Sequence, residues 1–179
     1  MVLDVPQPDE ETGVVLTKDE LIAALQKEVR ILLHLTTKID RSQLDYRPTA
    51  GQRSTLELLR YLSVMGPGLI QAANHGFDRE AWAAAMTAAH ARDFDQTVAV
   101  IAGHPDEYAR LVGAMTDDDF RATMMGFDGS PTTRGAFIVY LVLGGCAAYR
   151  TQLFLYLKAC GRTELTTANL WAGVDPQPA

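Results

Sequence analysis

The chain has 179 residues, of which 47% are hydrophobic and 21% are charged. This composition is typical of a single globular domain with a sizeable core, and it excludes a chain that is disordered throughout. The formal net charge of −6, without any cluster of basic residues, disfavours non-specific binding to nucleic acid.

The first 16 residues do not resemble a signal peptide, because the segment is acidic and contains two prolines. We expect residues 1–16 to form an irregular lead-in. Cys146 and Cys160 are fourteen positions apart in one predicted helix. That spacing corresponds to about 21 Å, so the two cysteines cannot form an intrachain disulfide. Unpaired cysteines without a signal-like segment predict a cytoplasmic protein.

Two helices are predicted to begin at capping boxes, at residues 17–20 (TKDE) and 54–57 (STLE). The first helix has an apolar face at helical spacing, formed by Leu21, Ile22, Leu25, Val29, Leu32, Leu33, Thr36 and Ile39. The second helix should kink or split at Pro67, which lacks the amide that bonds to the preceding turn, and should end near Gly76.

The middle of the chain is predicted to contain a short extra helix at residues 78–90, with Trp82 and Met86 facing inward. A third principal helix is predicted at 93–115, with a break or kink at 103–105. The acidic run at 116–119 indicates a helix start rather than a cation site. Residues 124–134, which are rich in Gly, Ser, Pro and Thr, are expected to form a connector. The histidines are expected to face solvent or to cap helix ends: His34, His75, His90 and His104.

The fourth principal helix contains the most apolar stretch, because residues 135–149 carry no charge. We expect this helix to be buried on most of its sides. Arg150 interrupts the apolar run before the roughly 20 residues that a membrane span requires. In the middle of a helix, Gly144 and Gly145 each lower helix stability by roughly 1 kcal/mol relative to alanine. We therefore expect another group to use the space beside these two glycines.

These elements predict an all-α fold, most simply a four-helix bundle whose long connection between helices two and three contains the short extra helix. The bundle is predicted to occupy residues 17–161, and residues 162–179 to form a tail that packs on it. The familiar catalytic and metal-binding motifs are absent from the sequence.

A stripe on the fourth helix consists of residues spaced four, three and four positions apart: Gly145, Tyr149, Gln152 and Tyr156. Cys146 and Arg150 lie next to this stripe, and helix two offers Glu57 and Tyr61, one turn apart. One interpretation is an internal polar layer in which Arg150 pairs with a carboxylate such as Glu57. The other is a pocket whose floor is Gly145 and whose walls are Tyr61, Tyr149 and Gln152.

Two stretches, RPTAGQRSTLELLRYLS and AAYRTQLFLYLKACG, resemble the DinB-like (DinB/YfiT-related) helical-bundle superfamily. The resemblance implies three metal-binding histidines, one on helix two and two on the last helix. The matching positions in this chain are Tyr61, Gly145 and Tyr149, while the Arg and Gln that follow are kept as Arg150 and Gln152. A glycine has no side chain to ligate, and neutral tyrosine is a poor ligand for zinc or nickel.

The sequence therefore predicts a metal-free bundle that binds an unidentified small molecule between helices two and four, with no cofactor, nucleic-acid or membrane partner. The expected ligand contacts are Tyr61, Gly145, Tyr149 and Gln152, and the expected supporting residues are Glu57, Arg150 and Cys146. One alternative is a metal-dependent transferase or hydrolase, the activities that the resemblance implies, with relocated ligands. Another is a structural or interaction protein that forms a homodimer. Whether the chain is an enzyme is left open.

Overall fold

The computed structural model describes residues 16–177, so the predicted lead-in, apart from Leu16, lies outside the described residues. In this part of the chain helices dominate, and the predicted all-α class is confirmed. The helices are α1 (Lys18–Thr36), α2 (Thr55–His75), α3 (Arg79–His90), α4 (Phe94–Ala102), α5 (His104–Gly113), α6 (Asp117–Arg121), α7 (Arg134–Phe137), α8 (Gly144–Ala159) and α9 (Thr167–Trp171). A 3-10 turn spans Arg41–Gln43.

The bundle consists of α1, α2, the pair α4 and α5, and one long helix, Arg134–Ala159. This long helix joins α7 to α8 through a π-helical segment, Ile138–Leu143. α1 packs against α5 and α8, while α2 packs against α3, α4, α5 and the π-helical segment. The predicted break in the third principal helix is confirmed, because α4 ends at Ala102 and Pro105 lies in the first turn of α5, where its missing amide is not needed.

Both predicted capping boxes are present. The hydroxyl of Thr17 accepts a hydrogen bond from the Glu20 amide at 3.2 Å, and the Glu20 carboxylate accepts one from the Thr17 amide at 2.8 Å. In the second box the Ser54 hydroxyl accepts a hydrogen bond from the Glu57 amide at 3.3 Å, and the Glu57 carboxylate accepts one from the Ser54 amide at 2.7 Å. The acidic run at 116–119 begins α6 with a third capping box. These boxes satisfy amides that a first helical turn leaves unpaired, so the helix starts are determined locally.

α2 is not split at Pro67. The helix continues to His75 and ends, as predicted, at Gly76, whose φ of 85° suits glycine. The stretch around Pro67 is buried, and the ring of Tyr108 lies against the bare backbone of Gly66, where a Cβ would be 2.8 Å from ring carbon Cζ. Packing on this segment from α5 holds the helix together across the missing hydrogen bond.

The connector at residues 124–134 contains most of a two-stranded antiparallel hairpin, which was not predicted from the sequence. β1 (Thr123–Met125) pairs with β2 (Pro131–Thr133), with Thr123 opposite Thr133. Each strand has only three residues, too few for an alternating pattern to be recognised in a sequence. Phe127 lies in the connecting loop, and its ring centroid is 5.5 Å from that of Phe137.

The long helix is much less buried than predicted. Only 22% of its most apolar 18-residue window is buried, and the side chains of Tyr140 and Leu155 are 78% and 59% exposed. The prediction was wrong because α1 and α2 pack against this helix but leave part of its surface, including Tyr140 and Leu155, uncovered. By length and composition alone, this is the one helix in residues 16–177 that could cross a membrane.

Two histidines differ from the prediction. His104 is 3% exposed, with Nε2 3.3 Å from the carbonyl oxygen of Ser63, and burial lowers its pKa to about 4. His34 is half-buried under the C-terminal tail, where its Nε2 lies 3.0 Å from the side-chain nitrogen Nδ2 of Asn169. His75 and His90 are exposed.

The close contact between Gly66 and Tyr108 generates a stability prediction. We expect Gly66→Ala to lower the free energy of unfolding by about 1–3 kcal/mol, because the added methyl group collides with a rigid buried ring. Urea denaturation measures this change.

The matched control is Gly113→Ala at the end of α5, where a Cβ has no heavy atom within 4 Å. This variant should keep or slightly raise the stability of the protein. Equal stability of the two variants would show that the ring has room to move.

Candidate functional site

An open groove of about 930 Å³ lies between α2, α3, the hairpin loop and the long helix. No charged side chain is among the residues that line it. These residues are Tyr61, Met65, Leu69, Phe77, Trp82, Phe127, Val139, Tyr140, Leu141, Gly144, Gly145, Ala148 and Tyr149. The groove thus has an almost wholly apolar wall that is in contact with solvent.

Five aromatic rings follow one another along the groove. The ring centroid of Tyr61 lies 5.2 Å from that of Tyr149 and 6.4 Å from that of Trp82. Phe77 continues the series at 5.5 Å from Trp82 and 5.4 Å from Phe127. Most of these pairs are edge-to-face, the arrangement that aromatic quadrupoles favour. The rings come from α2, α3, the α2–α3 turn, the hairpin loop and α8, so no single segment contains the site.

Tyr61 lies between Tyr149 and Trp82 in this aromatic series. Burial in the groove wall and, to a lesser extent, the neighbouring Tyr149 raise the pKa of Tyr61 to about 12, while Arg53 opposes the shift. The phenol is therefore neutral at physiological pH and is a hydrogen-bond donor rather than a base. The guanidinium carbon of Arg53 lies 4.0 Å from the centroid of the Tyr61 ring.

Gly145 allows α2 and α8 to approach each other closely. A Cβ at this position would be 3.2 Å from the sulfur of Met65 and 3.3 Å from its methyl carbon. The thioether of Met65 therefore takes up part of the space that the missing side chain leaves, and the remainder opens into the groove. At Gly144 the nearest atom to a Cβ is the backbone oxygen of Val139, at 3.6 Å.

The three positions that the resemblance to the DinB-like superfamily assigns to metal ligands face a common space, because Tyr61, Gly145 and Tyr149 all line the groove. The donor groups available there are two phenols and the thioether of Met65. This set does not fit zinc or nickel, which are bound by imidazole, thiolate or carboxylate groups. Among residues 16–177, no three His, Cys, Asp or Glu side chains form a group that could hold a metal ion.

Gln152 lies on the predicted face of α8 but is not in the groove wall. Its amide donates a hydrogen bond to the hydroxyl of Tyr156 at 2.5 Å, and that hydroxyl donates to the backbone carbonyl of Arg53 at 3.0 Å. This chain of bonds joins α8 to the segment before α2. The structure therefore gives Gln152 a helix-connecting position, one turn away from the groove.

Arg150 points away from the groove, toward α1. Its Nε donates to Glu28 at 2.7 Å, its Nη1 donates to the carbonyl of Leu170, and its guanidinium lies 5.2 Å from the Trp171 ring centroid. The interpretation that Arg150 pairs with a buried carboxylate is correct, but the partner is Glu28 and not Glu57. One residue along a helix is a rotation of about 100°, so Arg150 cannot share the direction of Tyr149.

Glu57 and Cys146 are also engaged elsewhere. Glu57 caps α2 and forms an ion pair with Arg47 at 3.3 Å. The sulfur of Cys146 lies 4.0 Å from the hydroxyl of Tyr108, and burial raises the pKa of this thiol to about 12. A thiol with that pKa remains protonated at neutral pH and is a poor nucleophile and a poor metal ligand.

Phe77, Phe127 and Met65 line the groove but were not predicted from the sequence. Phe77 and Phe127 lie in a turn and a loop, where hydrophobic periodicity is not informative. Met65 lies on an apolar helix in which most positions are buried. An aromatic residue directly after a helix-ending glycine, as at Phe77, was the available indication in the sequence.

No protein-family model matches the chain, and no curated protein matches it in sequence. In structure the chain is similar to YjoA, a DinB-like protein from Bacillus subtilis, with a TM-score of 0.63 and 14% sequence identity. The similarity covers 82% of this chain and 95% of that protein. At this level of identity the comparison establishes the fold.

The pairing of Arg150 with Glu28 can be tested by mutation. The side chains of the two residues are 3% and 14% exposed. We expect Glu28→Leu to lower the free energy of unfolding by about 3 kcal/mol, because it leaves the guanidinium buried without its counter-ion. Urea denaturation measures this change. The control is Asp95→Asn, which breaks the exposed pair with Arg41 and should change the free energy of unfolding little. Similar effects of the two substitutions would contradict this account.

Proposed function

We propose that this chain, which has the fold of a DinB-like protein, binds a small apolar or aromatic molecule in the groove between α2 and the long helix without using a metal ion. The observation that carries this proposal is the series of aromatic rings along one side of an open groove. Apolar surface of this kind is costly in water, and a ligand that covers it gains roughly 25 cal/mol for each Å² removed from solvent.

The size and exposure of the groove support a ligand of moderate size. Its volume of about 930 Å³ lies within the range of small-molecule sites, about 300–1,000 Å³. Phe127 and Tyr140 are 60% and 78% exposed and line the groove, so a bound molecule would cover apolar surface that the protein alone leaves in water. The hydroxyl groups of Tyr61 and Tyr149 supply donors that would orient an acceptor on the ligand.

The alternatives have less support at the level of residues. A metal-dependent transferase or hydrolase would require relocated ligands, and the nearby Cys146 and Glu57 are directed instead to Tyr108 and Arg47. A dimeric structural role stays a prediction, which light scattering on the purified protein tests. The proposal does not specify a reaction, because neutral phenols and apolar side chains bind and orient ligands rather than transfer groups.

The first test uses N-phenyl-1-naphthylamine, a neutral aromatic probe whose fluorescence rises in apolar surroundings. We expect saturable binding to the protein and an affinity about tenfold or more weaker for Ala148→Trp, because an indole at this exposed groove position fills the space. Gly145→Leu should have the same effect, although this side chain must also displace Met65.

The matched control for the probe experiment is Ala159→Trp. Ala159 is exposed on the same helix but does not line the groove, so this variant should bind the probe as the native protein does. Absence of probe binding to the native protein, or equal binding by the two tryptophan variants, would contradict the proposal.

The second test concerns the replaced ligand positions. We expect the triple variant Tyr61→His, Gly145→His, Tyr149→His to retain about one equivalent of Ni²⁺ or Zn²⁺ after desalting, because the three positions face one space and imidazole is a preferred ligand. Elemental analysis measures the metal content.

The double variant Tyr61→His, Tyr149→His, which lacks the third imidazole, is the control for metal binding and should retain less. A triple variant without metal would show that the three positions are wrongly placed. Metal near one equivalent in the native protein would contradict the metal-free proposal itself.

A further inference from the structure

We infer that the molecule bound in the groove carries a carboxylate, and that Arg53 binds this carboxylate at the rim of the groove beside Tyr61. The inference rests on the proposed function and adds to it the chemical class of the ligand: an aromatic or aliphatic body with one acidic group. It is carried by a cation that has an aromatic partner but, among residues 16–177, no acidic one.

Arg53 differs from the other arginines of the segment that precedes α2. Arg41 forms an ion pair with Asp95 at 2.6 Å, and Arg47 forms one with Glu57 at 3.3 Å. Arg53 is exposed and, within residues 16–177, has no carboxylate within ion-pairing distance. In that part of the chain its contact is with the face of Tyr61, 4.0 Å from the ring centroid.

The backbone of Arg53 is held in place by its neighbours, although its side chain is exposed. Its backbone carbonyl accepts a hydrogen bond from the buried hydroxyl of Tyr156, and it directly precedes Ser54, the residue that caps α2. Stacking on Tyr61 then restricts the guanidinium further, since a cation over an aromatic face is attracted by the quadrupole of the ring. The cation is held next to the groove before any ligand arrives, which lowers the entropy cost of binding.

The chemistry of the groove wall makes a single anionic group the best complement. The lining residues have no formal charge, and Arg53 places a positive charge against one of them, Tyr61. A guanidinium binds a carboxylate through two parallel hydrogen bonds. One guanidinium matches the single negative charge of a carboxylate, whereas a phosphate dianion would require a second cation, in a protein whose net charge is already −6.

The experiment compares 4-phenylbutyrate with 4-phenylbutan-1-ol, two probes with the same aromatic body and with or without a carboxylate. Isothermal titration calorimetry at low ionic strength measures both affinities. We expect the native protein to bind the acid about tenfold more tightly than the alcohol, and Arg53→Gln to remove this difference by weakening the acid about tenfold while leaving the alcohol unchanged.

The matched control is Arg47→Gln, which removes an arginine that is already paired with Glu57 and should leave the preference for the acid intact. Equal binding of acid and alcohol by the native protein, or an equal loss of both with Arg53→Gln, would overturn the inference while leaving the apolar groove as a binding site. Failure of both probes and of the neutral naphthylamine to bind would instead reject the proposed function.

Discussion

The contact between Gly145 and Met65 determines the geometry of the candidate site. Because residue 145 has no side chain, the thioether of Met65 lies directly against the backbone of α8, and α2 approaches the long helix closely. That approach brings the rings of Tyr61 and Tyr149 to 5.2 Å. The groove opens where the aromatic residues of the turn, the hairpin loop and α3 continue this pair outward, so its shape depends on the absence of one side chain.

The long helix has different chemistry on its two sides. Toward α1, the guanidinium of Arg150 is buried against Glu28 and the tail. Toward α2, the groove wall contains only uncharged groups. A buried charge is strongly destabilising without its partner, so the ion pair favours the rotation of the helix in which Arg150 faces α1. In that rotation the apolar residues of the groove wall face α2 and the hairpin loop.

The DinB-like fold does not decide the chemistry of this site. A fold places a set of positions around a common space, and the residues at those positions determine what is bound. Here the positions hold two tyrosines and a glycine, lined by a methionine and further aromatic rings. The same scaffold geometry is therefore combined with an apolar wall, and Arg53 places a cation against Tyr61 in that wall. The wall supports the proposed apolar body of the ligand, and the arginine supports its proposed acidic group.

The sequence by itself determined the local features: the capping boxes at residues 17–20 and 54–57, the helix-ending Gly76 and the all-α class, because hydrogen bonds between near neighbours decide them. The resemblance to the superfamily also indicated that Tyr61 and Tyr149 belong together. Only the tertiary structure decided that Arg150 pairs with Glu28, that the long helix has an exposed face, and that Phe77 and Phe127 complete the groove. These features depend on the direction of each helix face and on contacts between segments far apart in the chain, which local periodicity does not encode.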